Sequence, residues 1–85
     1  MVNDRKKTTK LNVPQEILLE LGSSLREQRR KRGISQEELA ALTAIDRSYI
    51  SDIERGVSSP TLLVLLRLTE AMDIKLWRLV KRIQG

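Results

Sequence analysis

The sequence predicts an all-α protein, a compact domain of five short helices. Three observations lead there. Apolar residues recur at three- and four-residue steps along most of the chain, helix start and stop residues punctuate those runs, and the β-branched residues are too scattered to build a strand. The 85 residues are enough for one domain and not two. Hydrophobic residues make up 40% of the chain, so it can build a core, and with no Phe, one Trp (Trp77) and one Tyr (Tyr49) that core must be aliphatic. A domain this small buries a modest share of its surface, so self-association would help it.

Residues 1–13 are polar and carry Arg5, Lys6, Lys7 and Lys10 against Asp4, the composition of a disordered basic arm. A solvated tail with no further role is the plain alternative. Residues 14–85 form the domain. Pro14 suits a first helical turn, where its missing N–H is not needed. Ile17, Leu18, Leu21 and Leu25 then share one helix face, and Gly33 marks the stop. Arg26, Arg29, Arg30, Lys31 and Arg32 crowd the last turns, where cations complement the helix dipole and equally suit phosphates. In "ISQEELAAL", Ser35 and Glu38 make a capping box for a short second helix whose Leu39 and Leu42 are expected to point inward.

Asp46 caps a third helix that runs to Arg55 and stops at Gly56. Its Ile50 and Ile53 lie on one face. The remaining positions are Arg47, Ser48, Tyr49, Ser51, Asp52 and Arg55, whereas a merely solvated face favours better helix formers such as Glu, Lys, Gln and Ala. Such groups suit a surface that makes hydrogen bonds. Two short helices joined by three or four residues make a helix-turn-helix. "SSPTLLVLLRLTEAM" gives a fourth helix, capped by Thr61 or Ser59, with Pro60 at its start. "DIKLWRLVKRIQ" gives a fifth, with Leu76, Leu79, Val80 and Ile83 at helical spacing.

Composition excludes several functions. Without Cys there is no disulfide, thiolate metal site or thiol nucleophile. Without His the commonest general base and metal ligand is missing. A small helical domain leaves little room for a catalytic pocket, so neither an enzyme, nor a cofactor, a metal or a small-molecule ligand is expected. No apolar run is long enough to span a membrane, and the charged N-terminus is unlike a signal peptide, so a cytoplasmic location is expected. Sixteen Lys and Arg against eleven Asp and Glu give a net charge of +5, which favours a polyanionic partner: nucleic acid, an anionic membrane or an acidic protein.

"GISQEELAALTAIDRSYISDIERG" followed by "SPTLLVLLRL" resembles the phage-repressor and Cro-like helix-turn-helix family, with a lambda-repressor-like fold. Within it, the third helix looks most like that of the controller proteins of restriction–modification systems. The resemblance rests on Ser-Gln opening the second helix, Ala40 four positions after Gln36, Ile50 and Ile53, Glu-Arg-Gly closing the third helix, and Pro-Thr-Leu opening the fourth. Ala40 would let the two helices cross closely. Ala44 stands where the family usually has Gly. A left-handed residue with a Cβ costs about 1 kcal/mol, so either Ala44 accepts that strain or the turn differs slightly.

The resemblance implies that the third helix enters the major groove of double-stranded DNA, where each base pair shows its own donor and acceptor pattern. Arg47, Ser48 and Ser51 match base-contacting positions, Arg47 being suited to guanine or else to phosphate alone. Gln36, Tyr49, Arg55, Ser58 and Ser59 match or neighbour phosphate contacts, with partial core packing the alternative for Tyr49 and ordinary loop chemistry for the serines. Asp52 can face a cytosine amino group or pair with Arg55. Arg29 and Glu54 match a structural salt bridge.

Leu62, Leu65 and Leu68 fit family core positions. Leu63, Val64, Leu66 and Trp77 fall where the family is often polar, and an exposed apolar patch marks an interface. The helix 4–5 face is therefore expected to form a homodimer, unless the same chain covers it. The function expected is a sequence-specific transcriptional regulator, acting as a homodimer on a palindromic operator and autoregulatory, as in restriction–modification controllers. The alternative is an antitoxin-like or adaptor module whose apolar face binds a different protein.

Overall fold

A computed structural model describes residues 13–83, and among them the chain is all-helical, without strands. The helices are α1 (Val13–Lys31), α2 (Gln36–Thr43), α3 (Arg47–Glu54), α4 (Leu62–Met72) and α5 (Trp77–Val80). The basic arm lies outside the described residues except for Val13, where α1 begins.

The core is aliphatic. Leu21 and Leu25 from α1, Leu39 from α2, Ile50 and Ile53 from α3, Leu65, Leu68 and Met72 from α4, and Leu79 from α5 converge with Ile45 from the α2–α3 turn. Each fully buried Leu or Ile contributes about 1.5–3 kcal/mol relative to exposure. α1 is the strut, packing on both α3 and α5.

Local chemistry sets the helix ends. The Ser35 hydroxyl accepts from Glu38 N, and Glu38 returns the bond to Ser35 N. Asp46 caps α3 through Ser48 N, and Thr61 caps α4 through Val64 N. At the C-terminus of α1, Gly33 takes φ +65°, and the amides of Gly33 and Ile34 turn back to the carbonyls of Arg30 and Arg29. α3 and α4 end with the same double bond, built around Gly56 and Asp73.

Three expectations need correction. Leu42 is 64% exposed, and Thr43 is buried in its place. On a two-turn helix anchored by Leu39, position 43 lies more nearly above it than position 42 does. The Thr43 hydroxyl is satisfied by donating to Leu39 O at 2.7 Å and accepting from Ile45 N at 3.2 Å. Leu62 is 61% exposed, because α4 buries Leu65, Leu68, Thr69 and Met72 and Leu62 precedes that stripe at the helix start. The fifth helix is one turn long, not three. Asp73 closes α4 with φ 57°, and the segment beyond is wound by i to i−3 bonds at Arg78, Leu79 and Ile83. Its apolar spacing still works: Leu79 is buried, and Leu76, Val80 and Ile83 pack on the core.

Gly22 fixes how closely α1 approaches α3. A Cβ there would lie 2.3 Å from Ile53 O and 2.6 Å from Glu54 O. Only a hydrogen can face those carbonyls, so α1 rests directly on the end of α3.

Candidate nucleic-acid interface

α3 is held from behind and open in front. Ile50, Ile53 and Glu54 are buried, while Arg47 and Ser48 are exposed and Ser51 is half-buried. The turn before it is made by Ala44 at φ 60°, ψ 28°, which accepts the left-handed conformation. Its amide bonds to Ala40 O at 2.8 Å and secures the turn. This sets the first turns of α2 and α3 side by side. Arg47 Nη1 donates to Gln36 Oε1 at 3.2 Å, and Arg47 Nε lies 4.0 Å from Glu37 Oε2.

Behind this surface one carboxylate gathers donors from two helices. Glu54 Oε2 accepts from Arg29 Nε at 2.6 Å. Its Oε1 accepts from Arg29 Nη2 and from Gln36 Nε2, both at 3.0 Å, and Arg26 Nε stands 3.5 Å away. Arg29 also donates to Ile34 O at 2.8 Å. Burial pushes the Glu54 carboxyl up, but the hydrogen bonds from Arg29 and Gln36 and the charges of Arg29 and Arg26 outweigh it and hold the group below its ordinary value. The hydrogen bond to Glu54 raises Arg29 against the opposing effect of burial. Through Gln36 the buried pair is linked to Arg47 on the surface.

The other candidate residues lie elsewhere on α3, in the α3–α4 connection and on the α4–α5 face. Asp52 and Arg55 form an ion pair at 2.5 Å. Ser58 and Ser59 follow Gly56 in the α3–α4 connection, beyond the end of α3 opposite Arg47. Tyr49 is half-buried, its side chain packed against the core. On α4, Leu63 and Leu66 are exposed and Val64 is half-buried against the core. Trp77 is 52% exposed, with the Arg78 and Lys81 cations 5.0 and 5.5 Å from its ring centroid.

The assembled groups suit recognition: hydrogen-bond donors, acceptors and cations on an open face. Among the described residues no carboxylate cluster could hold a metal ion, and no helix is long and apolar enough to cross a membrane. Glu37 had no distinguishing signal in the sequence, because an acid in a first helical turn is already explained by the dipole. The two-sided use of the Gln36 amide was equally hidden, since it depends on the packing of three helices.

Comparison with known proteins agrees with this geometry. Residues 25–76 match the helix-turn-helix family HTH_3. The uncharacterized HTH-type transcriptional regulator y4dJ of Sinorhizobium fredii is 35% identical over 54 residues, which cover 64% of this chain and 70% of that protein. Control protein C.SmaI of Serratia marcescens is 34% identical over 62 residues, covering 73% and 74%. The crystal structure of the restriction-modification controller protein C.AhdI from Aeromonas hydrophila superposes with a TM-score of 0.71 at 44% identity, covering 73% of this chain and 94% of that one. The match spans the turn, the open α3 face and the buried ion pair behind it: the chain belongs to the helix-turn-helix family HTH_3.

Proposed function

We propose that the protein is a sequence-specific DNA-binding regulator of transcription that places α3 in the major groove. The open face of α3, carrying Arg47, Ser48 and Ser51 on a helix anchored from behind by Ile50, Ile53 and Glu54, supports this best. Arg47 carries the sequence readout, since a guanidinium can meet guanine O6 and N7 together. Ser48 and Ser51 add adaptable hydrogen bonds. The main-chain N–H of Gln36, in the first turn of α2 with no intrahelical acceptor, suits a phosphate. Arg55, Ser58, Ser59 and the Tyr49 hydroxyl add further backbone contacts. A net charge of +5 favours the polyanion and predicts affinity that falls steeply with salt.

The exposed side chains of Leu62, Leu63, Leu66 and Trp77 support a two-fold dimer through the α4–α5 face, with Val64 lending its outer edge. Such a dimer sets two α3 helices about 34 Å apart, one turn of DNA, on a palindromic operator. Likeness to the controller C.AhdI and the control protein C.SmaI supports a controller role, which on this reading includes control of the protein's own gene and work on the nucleoid. The same apolar face also fits a different protein, as an antitoxin or adaptor would use it. Random-site selection at physiological salt tests the main reading: an enriched palindrome is expected, and no enrichment removes it. Sedimentation of the pure protein at micromolar concentration separates a second copy from a foreign partner. A 9.8 kDa monomer alone would remove the homodimer.

A further inference from the structure

We propose that Glu37 is a positioning residue for base readout: with the Gln36 amide it orients the Arg47 guanidinium and offsets part of its charge, so that Arg47 discriminates among base pairs instead of adhering to phosphate. The inference rests on the DNA-binding reading above.

Glu37 Oε2 lies 4.0 Å from Arg47 Nε, and Gln36 Oε1 accepts from Arg47 Nη1. Neighbouring residues on α2 thus act on the guanidinium at two of its nitrogens, one by a hydrogen bond and one by charge alone, and among the described residues neither contact involves Nη2. An unrestrained arginine meets phosphate oxygens readily, and most protein–DNA hydrogen bonds go to the backbone and carry no sequence information. Orienting the guanidinium in advance lowers the ordering cost of a bidentate contact to a base. Placing a carboxylate beside it weakens the attraction to every phosphate. Both effects make binding depend more on the base that is present.

The two acids in the first turn of α2 divide their work. Glu38 is committed to the capping box with Ser35. The Glu37 side chain is 74% exposed, so burial does not hold it; its carboxylate lies beside Arg47, and its charge also acts on the buried Arg29. An acid in this turn also favours the helix dipole, but that role alone would appear in stability and leave base discrimination unmoved.

The test uses the full chain as wild type, Glu37→Gln, Arg47→Ala and the double variant. Each is titrated with the duplex that wild type enriches from a random pool, and with that duplex changed at the base pair whose preference Arg47→Ala relaxes. Glu37→Gln should bind arbitrary duplex more tightly and lose about fivefold in the ratio of matched to changed affinity, a part of what a bidentate contact supplies. In the Arg47→Ala background the same substitution should leave the ratio where it was, and the melting temperature of Glu37→Gln should stay close to that of wild type. A ratio equal to that of wild type, or an equal drop without Arg47, overturns the inference. If Arg47→Ala relaxes no base pair, the inference falls while DNA binding stands. If wild type enriches no sequence, both fall together.

Discussion

Replacing Gly22 by Ala sets two effects of opposite sign against each other. In an exposed helix interior the change favours the folded state by about 1 kcal/mol, because Ala is the better helix former. Here the new methyl would sit 2.3 Å from Ile53 O and 2.6 Å from Glu54 O, roughly 1 Å inside an ordinary contact. The atoms it meets are backbone at the end of α3, and no side chain can swing aside. α1 must therefore withdraw from α3, loosening Leu21 and Leu25 against Ile50 and Ile53 and stretching the 2.6 Å bond from Arg29 to Glu54. Overpacking of this kind costs about 1–3 kcal/mol, and weakening the buried ion pair adds to it. The net loss expected is about 2–4 kcal/mol. In a domain of this size, 2 kcal/mol lowers the melting temperature by about 8–16 °C. Thermal and urea unfolding followed by circular dichroism measure it, with Gly33→Ala as control: that site has φ +65° and open space, so only the conformational cost applies. A Gly22→Ala protein that melts at or above the wild-type temperature would show that helix propensity wins and that this contact does not set the α1–α3 spacing.

Arg29→Ala should destabilise the fold by about 3–5 kcal/mol, because it strands a buried carboxylate. The folded-state pKa of Glu54 is depressed, so its contribution is present above the ordinary carboxylate value of 4.5 and is lost as pH falls through the lower folded value. Urea unfolding across that acid range should show wild type weakening and Arg29→Ala losing part of that slope. Ala44→Gly should stabilise by about 0.5–1 kcal/mol, since relief of left-handed strain exceeds the added freedom of the unfolded chain; an unchanged denaturation midpoint would contradict a strained turn. Arg47→Ala should cost about 1–3 kcal/mol on the selected duplex and relax preference at one base pair, whereas a phosphate-only role would weaken all duplexes alike.

Much of the fold is legible because its helix ends are written in local chemistry. Ser35 with Glu38, Asp46, Thr61, Gly33 and Gly56 all act within a few residues of themselves, so neighbouring sequence suffices to place them. The exposure of Leu42 and Leu62 is not legible, because a helix of two or three turns offers too few apolar positions to fix its rotation about its axis. Asp73 carries a left-handed turn without a glycine to signal it, so the fifth helix looked three turns long. At the candidate site, the residue types on α3 mark out a surface suited to hydrogen bonding. The role of Gly22 against α3 and the approach of Glu37 to Arg47 arise only when separate helices meet, and no single stretch of sequence encodes them.

The left-handed residues at Gly33, Ala44, Gly56 and Asp73 close every helix from α1 to α4. In mechanical terms they are fixed elbows: each reverses the chain within a residue or two and ties its amides back into the helix just completed. A chain jointed this way has little play at its corners. Deformation under load must come from bending or melting a helix, and the angle between α2 and α3 behaves as a constant of the molecule. A partner surface would meet a rigid die whose shape was set at folding, and the cost of ordering would already have been met.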